Sequence, residues 1–150
     1  MNVTRTWITI VSLLCLLIIL SGTAWVLNDS LFLFKDPQCD INSGRCSISL
    51  EDRDLEITLG PMPAKSLIPM QLSIMTTGQQ PSHIWADVQG VDMYMGINQF
   101  ELKQTDHGWQ GITELAVCTT DMMKWVIAVY LSVEGQPQQR VNLYFDSEVS

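Results

Sequence analysis

Eight methionines and four cysteines carry most of the distinctive donor chemistry in this 150-residue chain. The sharpest grouping is Gly90-Val91-Asp92-Met93-Tyr94-Met95-Gly96, where two thioethers flank a tyrosine between two glycines. A second is Cys118-Thr119-Thr120-Asp121-Met122-Met123. Thiolate and thioether are soft donors, and together they select Cu(I) over harder ions. Met93 and Met95 stand two apart and project the same way if their loop is extended. Met93, Met95, Cys118 and Met122 would then supply a three- or four-donor Cu(I) site. The competing reading is packing. Methionine fills irregular gaps, loops that cap a sandwich tuck one inward, and a cysteine ending a strand behaves as a small apolar residue. Met70 and Met75 are expected in the core on the same grounds.

The other sulfur pair is Cys39 and Cys46, which enclose Asp-Ile-Asn-Ser-Gly-Arg, a run suited to a loop. A local disulfide is the plain expectation from this cysteine arithmetic. It leaves Cys118 over, unless Cys118 pairs with one of the two. Two histidines, His83 and His107, are too few for an ordinary zinc site. The sequence carries no Gly-rich phosphate loop, no Ser-His-Asp order and no HExxH, so the chain is not expected to be an enzyme. The carboxylates look like a solvated surface.

Strands must position these side chains. The runs "RCSISL", "DLEITL", "IPMQLSIM", "HIWADVQ", "QFELKQT", "GWQGITELAV", "KWVIAVYLSV" and "QRVNLYF" alternate apolar with polar residues, as half-buried strands do. Ile68, Met70, Leu72 and Ile74 share one face; so do Ile84, Ala86 and Val88, and Trp125, Ile127, Val129, Leu131 and Val133. Turn chemistry separates the runs, as in Asp-Arg-Asp, Gly-Pro-Met-Pro and Glu-Gly-Gln-Pro. The pattern predicts an all-β antiparallel sandwich of about seven or eight strands over residues 39–146. If successive strands run antiparallel, their connections alternate between two ends. Met62, Met93, Met95, Cys118, Met122 and Met123 then gather at one end, with His83 and His107 at the other. The 39–46 segment and the chain's entrance into the domain also fall at the methionine end on this reasoning, so those loops would face a membrane.

That membrane is expected because Trp7 to Leu27 holds no charge. Twenty-one helical residues suffice to cross a hydrocarbon core about 30 Å thick. Trp7 and Trp25 lie about 27 Å apart along such a helix, and indole favours the headgroup level at both faces. A cleaved signal peptide would use Gly22-Thr23-Ala24, yet the apolar run continues through Trp25-Val26-Leu27. Cys15 follows Ser-Leu-Leu and fails the lipoprotein pattern. The expected organisation is a cytoplasmic tail (1–6), a transmembrane helix (7–27), a linker (28–38) and a periplasmic domain (39–146), in a bacterial inner membrane with one pass. Arg5 on the short side and the cysteines beyond the anchor set that orientation. Beyond the anchor, seven Lys or Arg face sixteen Asp or Glu, a net charge of −9. So acidic a surface argues against nucleic acid and anionic headgroups as partners, and tolerates cations or a basic partner.

A single anchor followed by a small sandwich, with Gly60-Pro61-Met62-Pro63, Met95-Gly96, the Gly108-Trp109-Gln110-Gly111 hairpin and Trp125 opening a long strand, resembles the FixH and YtkA-like periplasmic proteins. The resemblance runs through most of residues 54–133. It implies an immunoglobulin-like fold and a role in assembling or maturing a respiratory or metal-transporting membrane complex. Copper-delivering assembly factors share the plan, but this chain lacks their Cys-Phe-Cys motif. The alternative role is a structural subunit that docks on a larger membrane complex, with Met93, Met95 and Ile97 as contact residues. Ser21 and Gly22 would let the anchor itself pack closely against another helix.

Overall fold

The computed structural model describes Trp7, residues 10–18, residues 36–117 and residues 122–148. The chain forms two compact units, Met1–Lys35 and Asp36–Ser150. In the first, Trp7 and residues 10–18 are helical, and their large apolar side chains are exposed. Among the described residues, no helix is long and apolar enough to cross a membrane. The expected span 7–27 extends well past the described helical residues, and Trp25 lies outside them.

The second unit is all-β. Its strands are β1 (Gln38–Asp40), β2 (Arg45–Ser49), β3 (Arg53–Gly60), β4 (Ala64–Lys65), β5 (Met70–Gly78), β6 (His83–Gly90), β7 (Gln99–Thr105), β8 (Gly108–Thr113), β9 (Met122–Ser132) and β10 (Gln139–Glu148). They are ordered β1-β10-β9-β6-β7-β8-β5-β3-β2, a curved sheet rolled into a nearly closed barrel. Strand β7 turns the corner: Gln99–Leu102 pairs with β6, and Lys103–Thr105 with β8. The two edge strands, β1 and β2, are joined by the Cys39–Cys46 disulfide, as the cysteine spacing predicts.

Alternation drives the fold. Leu55, Ile57 and Leu59 of β3, Met70, Leu72 and Ile74 of β5, and Ile84, Ala86 and Val88 of β6 all point inward. Trp125, Ile127, Val129 and Leu131 of β9 meet Val141, Leu143 and Phe145 of β10 in the same core. An inward side chain on each strand buries apolar area worth roughly 25 cal/mol per Å².

Several expectations need correction. Among the described residues there are ten strands rather than seven or eight, because β1 and β4 span only three and two residues. Segments that short show no periodicity, and both form by parallel pairing with the distant β10. Ile68 and Met75 are exposed. Ile68 precedes β5, and Met75 falls on the outward phase of that strand. Strand β8 also stops at Thr113.

The added strand β1 has a larger consequence. It runs parallel to β10, so the chain enters beside Asn142 and Arg140, where Asp36 lies 3.6 Å from Arg140. That position is at the base of the barrel, about 20 Å along β10 from Glu148. The entrance is therefore at the end opposite the methionines, contrary to the alternation argument.

The base also holds a buried cation. Arg53 points inward from β3, and its guanidinium donates to both Asp52 carboxylate oxygens, at 3.0 and 2.5 Å. These hydrogen bonds hold Asp52 below the usual carboxylate range, with a smaller contribution from Gln139. A lowered folded-state pKa gives stability that is present at neutral pH and is lost as pH falls through that lowered value. Asp52→Asn is accordingly expected to lower the urea midpoint at neutral pH and to flatten its fall below about pH 4. Parallel acid limbs in the two proteins would show that this pair does not govern the acid response.

Candidate functional site

The end opposite the entrance is built from the 41–44 turn, the 61–69 connection, residues 91–98, residues 114–117 and the start of β9. Hydrogen bonds hold these loops in place. Asn98 Nδ2 donates to the Glu114 carbonyl at 2.8 Å, and the Leu67 amide to the Leu115 carbonyl at 3.1 Å. The Val91 amide donates to the Lys124 carbonyl at 2.9 Å, continuing the β6–β9 ladder. Beneath them, buried Trp125 Nε1 donates to Ser147 Oγ at 2.8 Å. The Gly60-Pro61 and Met62-Pro63 peptide bonds are both cis.

The methionines named from the sequence lie here, but they do different things. Met123 is in the core, while Met62 and Met95 are half-buried against it. Met93 is 54% exposed and Met122 is 65% exposed. Adjacent strand residues face opposite sides, so Met122 and Met123 cannot share a face. The sulfur-bearing chain that approaches Met95 is Met123, and they meet over Gly90. A Cβ there would overlap Met123 Cε and the Met93 carbonyl oxygen, and would lie 3.4 Å from Met95 Cγ. Gly90 thus permits the close packing, and Gly96, at φ 87°, permits the turn that follows Met95. Of the expected copper donors, Met93 and Met122 are exposed and Met95 is half-buried at the same end, and Cys118 lies outside the described residues. Among those residues no three His, Cys, Asp or Glu side chains group as metal ligands.

Exposed apolar surface distinguishes this end further. Leu67, Ile68, Val91, Met93, Tyr94, Ile97, Val117 and Met122 are all exposed here, with Ile97 at 79%. Elsewhere on the described part of the barrel only Met75 and Ile112 are large, apolar and exposed. Leu67 sits at φ 60°. A bulky residue with left-handed backbone is strained, and such strain concentrates at functional sites. Sequence reasoning singled out Met93, Met95 and Ile97 but missed Leu67, Tyr94 and Val117. Their signal was the clustering of apolar residues inside turn segments.

His83 begins β6 and His107 occupies the β7–β8 turn, both at the base, as the alternation of connections predicts.

A crystal structure of a DUF4426 family protein from Pseudomonas aeruginosa is similar to this chain. The match has 11% identity and a TM-score of 0.43, and covers 69% of this chain and 94% of the neighbour. No family model matches the chain, and no curated protein matches it.

Proposed function

We propose that this chain is a membrane-anchored periplasmic accessory protein without catalysis of its own, which docks through its apolar loops on a larger membrane complex. One observation carries this reading: eight of the ten exposed large apolar side chains on the described barrel lie at one end. Apolar surface concentrated in this way marks an interaction site. Tyr94 and Met93 are residue types enriched at interface cores. The Cys39–Cys46 disulfide suits an oxidising compartment. Residues 10–18, apolar all round and exposed, suit a lipid-facing anchor. The resemblance to FixH and YtkA-like proteins would make the fold immunoglobulin-like and the partner a respiratory or metal-dependent complex.

Cu(I) handling is the second reading, favoured by the exposure of Met93 and Met122 at the same end. Purification of the full-length chain from membranes in mild detergent separates the two. Docking predicts an integral membrane partner that protects residues 91–98 from hydrogen exchange. Tyr94→Asp with Ile97→Asp should release it without changing the melting temperature. Retention of the partner by that variant would overturn docking through this rim. Copper predicts chelator-resistant Cu(I) binding that Met93→Leu with Met95→Leu weakens; unchanged affinity would end that reading.

A further inference from the structure

The outer face of the barrel carries a feature unrelated to the methionine end. Because β6 turns Ile84, Ala86 and Val88 inward, Trp85 must face outward. Strand register then sets four residues in one row across the sheet: Glu101 on β7, Trp85 on β6, Tyr130 on β9 and Arg140 on β10. The Trp85 and Tyr130 rings stack with centroids 4.0 Å apart and planes 7° from parallel. The Arg140 guanidinium carbon lies 5.7 Å from the Tyr130 centroid. Arg140 Nε is 3.6 Å from the Asp36 carboxylate and donates to Asn142 Oδ1 at 3.0 Å. At this end of the row, then, a guanidinium meets an aromatic ring and a carboxylate together.

The other end of the row repeats two of those three parts. Strand β6 has β9 on one side and β7 on the other, and Tyr130 covers the indole from the β9 side. On the β7 side Trp85 lines an open cleft of about 450 Å³ with His83, Gln99, Phe100 and Glu101. The Glu101 side chain is 78% exposed and lies 3.6 Å from His83 Nε2. Indole is the strongest of the aromatic partners for a cation, and a planar guanidinium stacks on it while pairing with a carboxylate.

We propose that this cleft binds the arginine side chain of a partner polypeptide, its guanidinium stacked on Trp85 and paired with Glu101. The bound group would mirror Arg140 across the Trp85–Tyr130 stack. The −9 charge beyond the anchor favours a basic segment as the source. The site lies on a different surface from the apolar rim, so each stands or falls separately.

The test uses the full-length chain in detergent and a short acetylated, amidated Gly-Arg-Gly peptide, with the citrulline and lysine analogues alongside. The arginine peptide should shift the Glu101 and Gln99 amide resonances and the Trp85 indole resonance, with a dissociation constant on the order of millimolar. Glu101→Gln should weaken binding about threefold, and Trp85→Leu about fivefold or more by the amide shifts. Trp85→Tyr, which keeps a ring, should retain most of the affinity and serves as the folding control. Absence of shifts, equal shifts from the citrulline peptide, or no effect of Glu101→Gln would overturn the proposal. A lysine peptide binding as tightly as arginine would overturn the guanidinium assignment.

Discussion

Trp125→Ala is expected to cost the barrel about 3–5 kcal/mol, the usual range for removing a buried tryptophan. Trp125 is 1% exposed and is one of the largest fully buried side chains. It pairs with Gly90 of β6 and with Phe145 of β10, so it is packed where the methionine end meets the core. Its indole N–H also donates to the buried Ser147 hydroxyl at 2.8 Å. Alanine would leave a cavity and remove that donor together. Trp125→Phe separates the terms: it keeps most of the apolar volume and should retain a deficit of about 1–3 kcal/mol from the lost hydrogen bond and the smaller ring. Urea midpoints of the three full-length proteins in one detergent measure both differences. A loss below about 1 kcal/mol for alanine would mean that the loops over Gly90 collapse to refill the space.

Removing the disulfide by Cys39→Ser with Cys46→Ser is expected to cost about 2.5 kcal/mol. The two cysteines are separated by seven in sequence, and closing so short a loop removes only modest entropy from the unfolded chain. Where the loss is felt matters more than its size. Strands β1 and β2 are the two ends of the strand order, and the disulfide joins them. Hydrogen exchange should therefore quicken first at residues 38–49. The central β9, hydrogen-bonded on both sides by β6 and β10, should stay protected. Uniform acceleration across β9 as well would show that the barrel opens as one unit.

Much of the fold was legible because its strands are long. Eight runs of six to ten residues alternate clearly, and those runs correspond to β2, β3, β5, β6, β7, β8, β9 and β10. Strands β1 and β4 were not legible. Their stability comes from partners on β10 roughly a hundred residues away, as in the Asn42–Asp146 hydrogen bond that follows β1. Missing β1 reversed the expected end at which the chain enters. The methionine end shows the same limit at a single residue. Met122 and Met123 are adjacent, so one must face in and the other out, and local sequence does not say which. Pairing of β9 with Ser147 and Glu148 decides it, and that turns Met123 into the core.

The sequence by itself determined the all-β class and the inward faces of the long strands, and it made a Cys39–Cys46 pair and the gathering of Met62, Met93, Met95, Met122 and Met123 away from the histidines the plain expectation. Each follows from a local rule: a period of two, turn chemistry or short cysteine spacing. Only the tertiary structure decided the barrel closure, the basal entrance, the apolar rim and the row Glu101–Trp85–Tyr130–Arg140. Those depend on register between strands far apart in the chain, and a shift of one residue in any pairing would turn the same side chains to the opposite face.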